Sequence, residues 1–421
     1  MSDTPRQSGP DALSIDLGRL KADLAAVNRI GTIEGLPGIN RVSFSDADMA
    51  GRRWLMQRLG EAGLAARMDA VGNVFGRWEA GDGPGDAAAV LAGSHLDSVP
   101  MGGPLDGSLG VLAALEGVRA MMEAGIAPAR PVEVVCTADE EGRFGGMLGA
   151  QAIAGLVTPE WIEAAVDDAG VRLTDAMRAQ GLDPGAAPRA AREPGSIAAF
   201  LEIHVEQGPV LERAGDAVGI VDVVSGCFNW SVTLSGAANH SGSTPMDMRR
   251  DAFRGLAAFG AGIDDIVARA GTREAKLTVG KAALRPNFPH TIAGEAEFSI
   301  IGRDVDEAAM RALAEACRAG IARAAGAHGL GVEIRELSWL APVALDAGLA
   351  DMLRQEAGRL GYAHRTLPSG GGHDAQTFAA ITRSALIFVP SVGGISHAPE
   401  EWTEWADIER GATLLARALA R

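Results

Sequence analysis

Three short apolar runs in this chain each stop at a group of histidines and acids, and that recurrence constrains the fold more than any other feature. The run at 87–93 leads into GSHLDSVPMGGPLDGSLG, which holds His95, Asp97 and Asp106. The run at 131–138 ends at Asp139, Glu140 and Glu141, and AAFLEIHVEQG delivers Glu202, His204 and Glu206. Short apolar runs bounded by glycine and proline read as strands buried on both faces. A helical spacing over 110–123 separates the first two. Strands alternating with helices make an α/β layer with a mostly parallel central sheet, and such sheets hold ligands in the crevice beyond the carboxyl ends of their strands. A lone histidine is ordinarily satisfied by a hydrogen bond, and an Asp-Glu-Glu run is ordinarily a solvated surface. Neither explains the same residue types at three strand ends with apolar, glycine-rich flanks, so the pattern predicts a metal site.

The rest of the chain sorts around that layer. Helical spacing runs over 14–66, with a helix through Trp54, Leu55 and Leu59 that starts at an N-cap Asp46 and stops at Gly60 or Gly63. A strand is predicted over 71–78, then a turn over 81–86 (GDGPGD). The style changes near Ser225. Strands are predicted over 229–236, 276–284, 295–303 and 331–339, with helices over 249–270 and 306–327. That β-α-β-β-α-β order is a ferredoxin-like α+β unit. After Asp346 come a helix, a strand over 384–391 and a helix from about Glu404. The chain's 421 residues exceed one ordinary core, and the predicted architecture is an α/β domain over 1–224 and 341–421, interrupted by a smaller domain over 225–340. The low-complexity stretch 181–195 reads as a surface loop.

Charge narrows the partners. Lys and Arg number 38 against 54 Asp and Glu, a net charge of −16 that repels phosphate backbones and anionic lipid, so neither nucleic acid nor membrane is expected as a partner. The opening MSDTPRQSGPDALSIDLG has no apolar core of the kind a signal peptide needs, and no stretch stays apolar long enough to span a bilayer. Cys136, Cys227 and Cys317 are odd in number and far apart, which gives neither a disulfide framework nor a thiolate zinc site and reads as three reduced thiols in the cytoplasm.

The motifs carry the chemistry. A metal-bound imidazole is usually held through its second ring nitrogen, and Asp97 is placed to hold His95. Asp106, in Leu-Asp-Gly, sits on a turn where a carboxylate can bridge two metals. Glu140 and Glu141 are neighbours that point in opposite directions on extended backbone, so one can bind metal while the other carries a proton. His397 follows the last strand, in GGISHAPEE. The run Ser369, Gly370, Gly371, Gly372 before His373 and Asp374 can line a pocket with backbone amides, but without Gly-Lys-Ser/Thr it is no phosphate loop. No G-x-S-x-G elbow supports a serine hydrolase, so Ser94 reads as a loop serine, and His328 and His364 read as structural.

From about Gly31 onward, GSHLDSV, LDGSLGV, DEEGRFGG, EIHVEQGPVLE, NHSGSTPMDMRRDA, SGGGHDAQ and GGISHAPEE occur in that order. In these motifs the chain resembles the metal-dependent amidohydrolases of the M20 peptidase superfamily, in the branch of N-carbamoyl-L-amino acid hydrolases, β-ureidopropionases and allantoate amidohydrolases. The resemblance implies two divalent metals per subunit, usually zinc, with manganese, cobalt and nickel also used. It makes Asp106 the bridging ligand, gives His95 and His204 to one metal and Glu141 and His397 to the other, and makes Glu140 the general base. The histidine at 204 fits the carbamoylase branch, since the superfamily's peptidases usually carry a carboxylate there. His240 would stabilise the oxyanion from an inserted lid that also forms a homodimer. Gln207 and Arg303 would hold a small carboxylate substrate, with Asn287 a further candidate. The family's Asn-x-x-Pro-Gly motif is replaced here by His290-Thr-Ile-Ala-Gly, so His290 stands where the substrate-binding asparagine is expected. The implied reaction is hydrolysis of an N-carbamoyl-L-amino acid, with allantoate or another N-acyl amino acid as alternatives. A metal-free binding protein on the same fold is the competing class, and the intact ligand set argues against it.

Overall fold

The computed structural model describes residues 9–79 and 87–421. The turn expected over 81–86 lies outside them. Among the described residues the strands are β1 (Ala65–Met68), β2 (Val74–Trp78), β3 (Ala89–His95), β4 (Val132–Thr137), β5 (Ile197–Val205), β6 (Val218–Val224) and β7 (Gly226–Ser235). They continue with β8 (Lys276–Thr278), β9 (Ala282–Arg285), β10 (Glu295–Asp304), β11 (Gly331–Leu340), β12 (Val343–Ala344), β13 (His364–Ser369) and β14 (Arg383–Val389). The chain divides into two compact units. One comprises Met1–Asp222, Ala344–Leu367 and Gly372–Arg421, and the other Val223–Val343 and Pro368–Gly371.

The first unit is built on a sheet of order β1-β2-β4-β3-β5-β14-β6-β12, with β13 also on β6. Its four central strands, β4, β3, β5 and β14, run parallel, and antiparallel pairs flank them on both sides. The central strands are buried along nearly their whole length, which is why they read as continuous apolar runs. Helices Ser108–Glu123 and Trp405–Leu419 pack on this sheet and on each other, and Leu109, Leu112, Val118, Leu414 and Leu415 join Leu201, Ile203 and Ile387 in one core. The carboxyl ends of β3, β4 and β5 emerge side by side.

The helical spacing read over 14–66 is two helices, Leu17–Asn28 and Asp46–Glu61, followed by the unforeseen strand β1. The second helix is capped by Ser45, whose hydroxyl accepts from the Asp48 amide, so Asp46 is the first helical residue instead of the cap. The stretch 181–195 is not a surface loop. It forms the turn of helix Pro184–Ala190, whose Ala187 and Ala190 join Leu148, Ile162, Leu173 and Met177 in a satellite core. Alanine gives no periodic contrast to read, yet it packs wherever backbone comes close.

In the second unit the sheet order is β11-β7-β10-β8, with β9 also on β10 and every one of these pairs antiparallel. Alternate residues of β7 and β10 (Phe228, Trp230, Val232, Phe298 and Ile300) pack under helices Ala252–Ala261, Ile263–Ala270 and Glu307–Ala327. The expected ferredoxin-like order is present, with two divisions the periodicity hides. The helix read over 249–270 breaks at Gly262, and the strand read over 276–284 is β8 and β9 with Gly280 between them. Arg303 lies on the β10 face opposite the helices, paired in register with Cys227 and Lys276.

Candidate metal centre

β3 ends on His95 and β5 carries His204 one residue before its end, so the sheet aims both rings at the same crevice. His95 Nδ1 lies 2.9 Å from the Asp97 carbonyl, and His204 Nδ1 lies 2.9 Å from the Val205 carbonyl. A carbonyl can only accept, so in the neutral rings the proton sits on Nδ1 and Nε2 is the ligand atom. Both Nε2 atoms face Asp106 Oδ1, at 3.4 Å from His95 and 3.0 Å from His204. Asp106 sits on a turn completed by Gly107 at φ +62°, where a Cβ would stand 2.4 Å from the His95 ring. Only glycine allows that approach. The other carboxylate oxygen, Oδ2, lies 3.2 Å from His397 Nε2, which is in turn 3.4 Å from Glu141 Oε2. Two donor groups result, His95–Asp106–His204 and Asp106–Glu141–His397, with the ligand atoms of each within 4.8 Å of one another. Asp106 gives one oxygen to each.

The electrostatics of these groups test whether a cation fits. Burial pushes the Glu140 carboxyl well above its usual range despite His95 at 3.6 Å. Burial, and then Asp106, push Glu141 up to about 7. Burial opposes ionisation of Asp106 too, yet the imidazoles, His204 first, hold it well below the carboxylate range. His397 is pushed up to about 9, chiefly by its hydrogen bond to Asp106. Among the described residues, histidines are the only cationic partners within ion-pair distance of Asp106, Glu140 and Glu141. Three acids crowded against imidazoles alone lack the compact positive charge that a divalent cation supplies. Imidazole and carboxylate donors without thiolate suit zinc, manganese, cobalt or nickel. Coordination requires neutral imidazole and ionised carboxylate, so protons on His397 and Glu141 compete with the metal. Metal affinity is expected to rise between pH 6 and 9, by about tenfold per pH unit for each proton displaced. Competition titrations at several pH values check this, and a flat profile contradicts it.

Asp97 does not hold His95 through its carboxylate as expected. Its Oδ1 is 3.9 Å from His95 Nδ1, and the backbone carbonyl takes the contact instead. The carboxylate faces the other way, and its Oδ2 accepts from the Ser43 hydroxyl at 2.8 Å and the Glu141 amide at 3.2 Å. Gln207 reaches the centre, where its Nε2 donates to Asp106 Oδ2 at 2.9 Å. The Gly371 amide donates to Ser369 Oγ at 3.1 Å, so it is already committed, and a Cβ on Gly372 would meet Met147 at 2.5 Å. Ser94 is not on a loop: it lies inside β3 and donates to the buried Glu202 at 2.7 Å.

His240, Asn287, His290 and Arg303 belong to the second unit. There Thr291 bridges His240, and the His290 carbonyl accepts from the Ser241 amide at 3.0 Å, which sets the loop around Asn287 and His290 beside His240. The amides of Gly242 and Ser243 both donate to His240 Nδ1 at 3.1 Å. That leaves the ring's proton on Nε2, so a neutral His240 is a hydrogen-bond donor there.

One residue of the centre was missed by motif reading. Buried Glu401 accepts from the Leu105 and Asp106 amides at 3.1 and 2.9 Å and from Ser396 Oγ at 2.6 Å, and so fixes the turn that carries Asp106. The only signal was its place in the motif of His397, in Ala-Pro-Glu-Glu.

With this geometry in hand, comparison with known proteins is specific. Residues 91–421 match the model of peptidase family M20/M25/M40. An N-carbamoyl-L-amino acid amidohydrolase of Geobacillus stearothermophilus is 39% identical over 90% of this chain and 92% of its own. An allantoate amidohydrolase of Escherichia coli is 35% identical over the same shares. The crystal structure of an amidase of the hydantoinase/carbamoylase family from Burkholderia multivorans superposes with a TM-score of 0.88 at 34% identity, covering 97% of this chain and 98% of that one. The two ligand groups thus sit on a fold and a sequence of one lineage, and the chain belongs to peptidase family M20/M25/M40.

Proposed function

We propose that this chain hydrolyses N-carbamoyl-L-amino acids to the amino acid, carbon dioxide and ammonia, at a centre of two divalent cations. The observation that carries the reading is the shared Asp106, one oxygen in each of two donor groups. Cleavage of a linear amide or ureido bond is the chemistry named in its relatives. His95 and His204 would hold one cation, Glu141 and His397 the other, and Asp106 both. Zinc is our first choice, and manganese, cobalt and nickel fit the same donors. Bound cations supply Lewis acidity, which acidifies water and polarises a carbonyl.

The chain's own residues do the rest. Glu140 is buried beside His95, and burial raises its affinity for a proton, which suits a base that takes a proton from water and keeps it until the leaving nitrogen needs it. The Nε2–H of His240 is the donor for the oxyanion that forms as water adds to the ureido carbonyl. Arg303, on the helix-free face of β10, pairs with the substrate carboxylate, and Gln207, Asn287 and His290 supply further polar contacts. The second unit serves as lid and dimerisation domain. Its edge strand β11 exposes Val332, Leu337 and Leu340, a surface that suits a homodimer, and sedimentation at micromolar concentration tests this, a monomer refuting it. Three free cysteines support a cytoplasmic location. No helix among the described residues is long and apolar enough to cross a membrane.

The test is ammonia release by metal-loaded protein from N-carbamoyl-L-amino acids, N-carbamoyl-β-alanine, allantoate and N-acyl amino acids, with a chelator control. Chelator-sensitive release from N-carbamoyl-L-amino acids is the expected result. Turnover of allantoate alone shifts the substrate to a second ureido compound, and turnover of acyl amino acids alone overturns the ureido reading. Arg303→Ala is expected to raise KM for carboxylate substrates by roughly 10- to 100-fold, the worth of a charge-assisted bidentate pair, with a smaller effect on kcat. An unchanged KM removes Arg303 from the pocket.

A further inference from the structure

Two arginines of the segment before the first ligand strand are almost wholly buried, Arg41 at 1% exposure and Arg52 at 0%. Arg41 makes no ion pair among the described residues. Its guanidinium donates from Nε to the Leu96 carbonyl at 2.5 Å, from Nη1 to the Val27 and Ile30 carbonyls at 2.9 Å, and from Nη2 to Ser108 Oγ at 2.8 Å. Leu96 stands between His95 and Asp97, and Ser108 follows Asp106 by two residues. The Arg41 amide and carbonyl also pair with Ser98, at 3.0 Å each. One side chain therefore ties the loop of His95 to the turn of Asp106 and anchors both to the end of helix Leu17–Asn28.

Arg52 does the same for the neighbouring loop. Its Nε donates to Asp48 at 2.9 Å, and its Nη1 donates to the Gly72 and Thr137 carbonyls at 2.9 and 3.0 Å. Its Nη2 lies 3.7 Å from Asp97 Oδ1, and neither atom has a hydrogen-bond partner. Asp97 in turn accepts the Glu141 amide. Thr137 is the last residue of β4, just before Asp139, Glu140 and Glu141. The fork thus links the end of β4 to the loop of β3 through a carboxylate that orients a ligand.

We propose that Arg41 and Arg52 are positioning residues of the metal centre, two buried forks whose donors set the spacing of the three segments that carry His95, Asp106 and Glu141. Burying a guanidinium is unfavourable unless the bonds it makes are needed, and each arginine directs part of its fork to the ligand-bearing segments, Arg41 to Leu96 and Ser108 and Arg52 to Thr137. Lysine cannot replace the fork. Its ammonium is a point charge that cannot span acceptors on several segments.

The inference rests on the metal-centre reading, and the experiment separates the two. Wild type, Arg41→Lys, Arg52→Lys, Ser108→Ala and a control, Arg119→Lys, are compared as full chains. Arg119 is also buried, but it pairs with Asp23 and Glu116, away from the ligand loops. Affinity for zinc, the visible spectrum of the cobalt-loaded protein and the melting temperature with and without metal are measured. Arg41→Lys and Arg52→Lys are expected to weaken metal binding by roughly 10- to 100-fold, as outer-shell substitutions do, and to shift the cobalt bands. Ser108→Ala removes only one bond of Arg41 and is expected to move both readouts less, in the same direction. It decides the matter for Arg41 if the lysine variant fails to fold. Arg119→Lys is expected to lower the melting temperature alone. Wild-type affinity and spectrum in all three site variants, or an equal loss of affinity in Arg119→Lys, overturns the proposal. A wild type that binds no metal refutes the centre itself.

Discussion

Asp106→Ala is expected to lose both metals at once. Its two oxygens face different groups, Oδ1 toward His95 and His204 and Oδ2 toward His397, and among the described residues no other one belongs to both sets. What remains is two imidazoles on one side and Glu141 with His397 on the other, too few donors for a stable divalent site. Metal content by elemental analysis should fall toward zero, and the metal-induced rise in melting temperature should vanish, since that rise exists only where the folded state binds the ion. His204→Ala belongs to one group alone and should remove one ion and spare the other. Equal, partial losses in both variants would mean that Asp106 is not shared.

Glu140→Gln should show the opposite dissociation of properties. Glu140 is in neither ligand group, so metal content should stay at the wild-type level. The amide keeps the shape of the side chain but cannot accept a proton, and kcat should drop on the order of 10³-fold, the worth of a positioned general base. KM should change little, because the loss falls on the transition state. Full turnover in this variant removes Glu140 as the base.

Much of the centre was legible because its chemistry is local. His95, Glu140, Glu141 and His204 lie in or just beyond the ends of strands whose burial writes an unmistakable apolar run, Asp106 follows on the turn after β3, and β3, β4 and β5 lie where those runs stand. What escaped reading depends on partners distant in sequence. Glu401 reaches the Asp106 turn across nearly three hundred residues, and Arg41 and Arg52 look like any charged residue near a helix start until the loops close over them. Asp97 was read as the partner of His95 from their spacing alone. Spacing does not say that the carbonyl is nearer than the carboxylate, nor that Arg52 and the Glu141 amide compete for the acid. The ferredoxin-like unit was legible for the same reason as the central strands, since its sheet alternates cleanly between a helix-covered face and an open one. Where alanine supplies the packing, as over Pro184–Ala190, no pattern distinguishes a core from a loop.

The place of β14 bears on how such a chain reaches its native state. It is the last of the described strands in chain order, yet it lies in the interior of its sheet, between β5 and β6. Until residue 383 has left the ribosome, one long edge of β5 has no partner, and β5 is among the most apolar strands in the chain. Unpaired apolar edges recruit strands from other molecules. His95, Asp106 and His204 are all available by then, whereas His397 follows β14. Early capture of an ion by the first group would pin β3 to β5 and order half of the sheet before its centre is filled. Loss of the chain from residue 382 onward would therefore do more than delete one ligand: it would leave the sheet open along its middle, and the visible defect would be insolubility before it was inactivity.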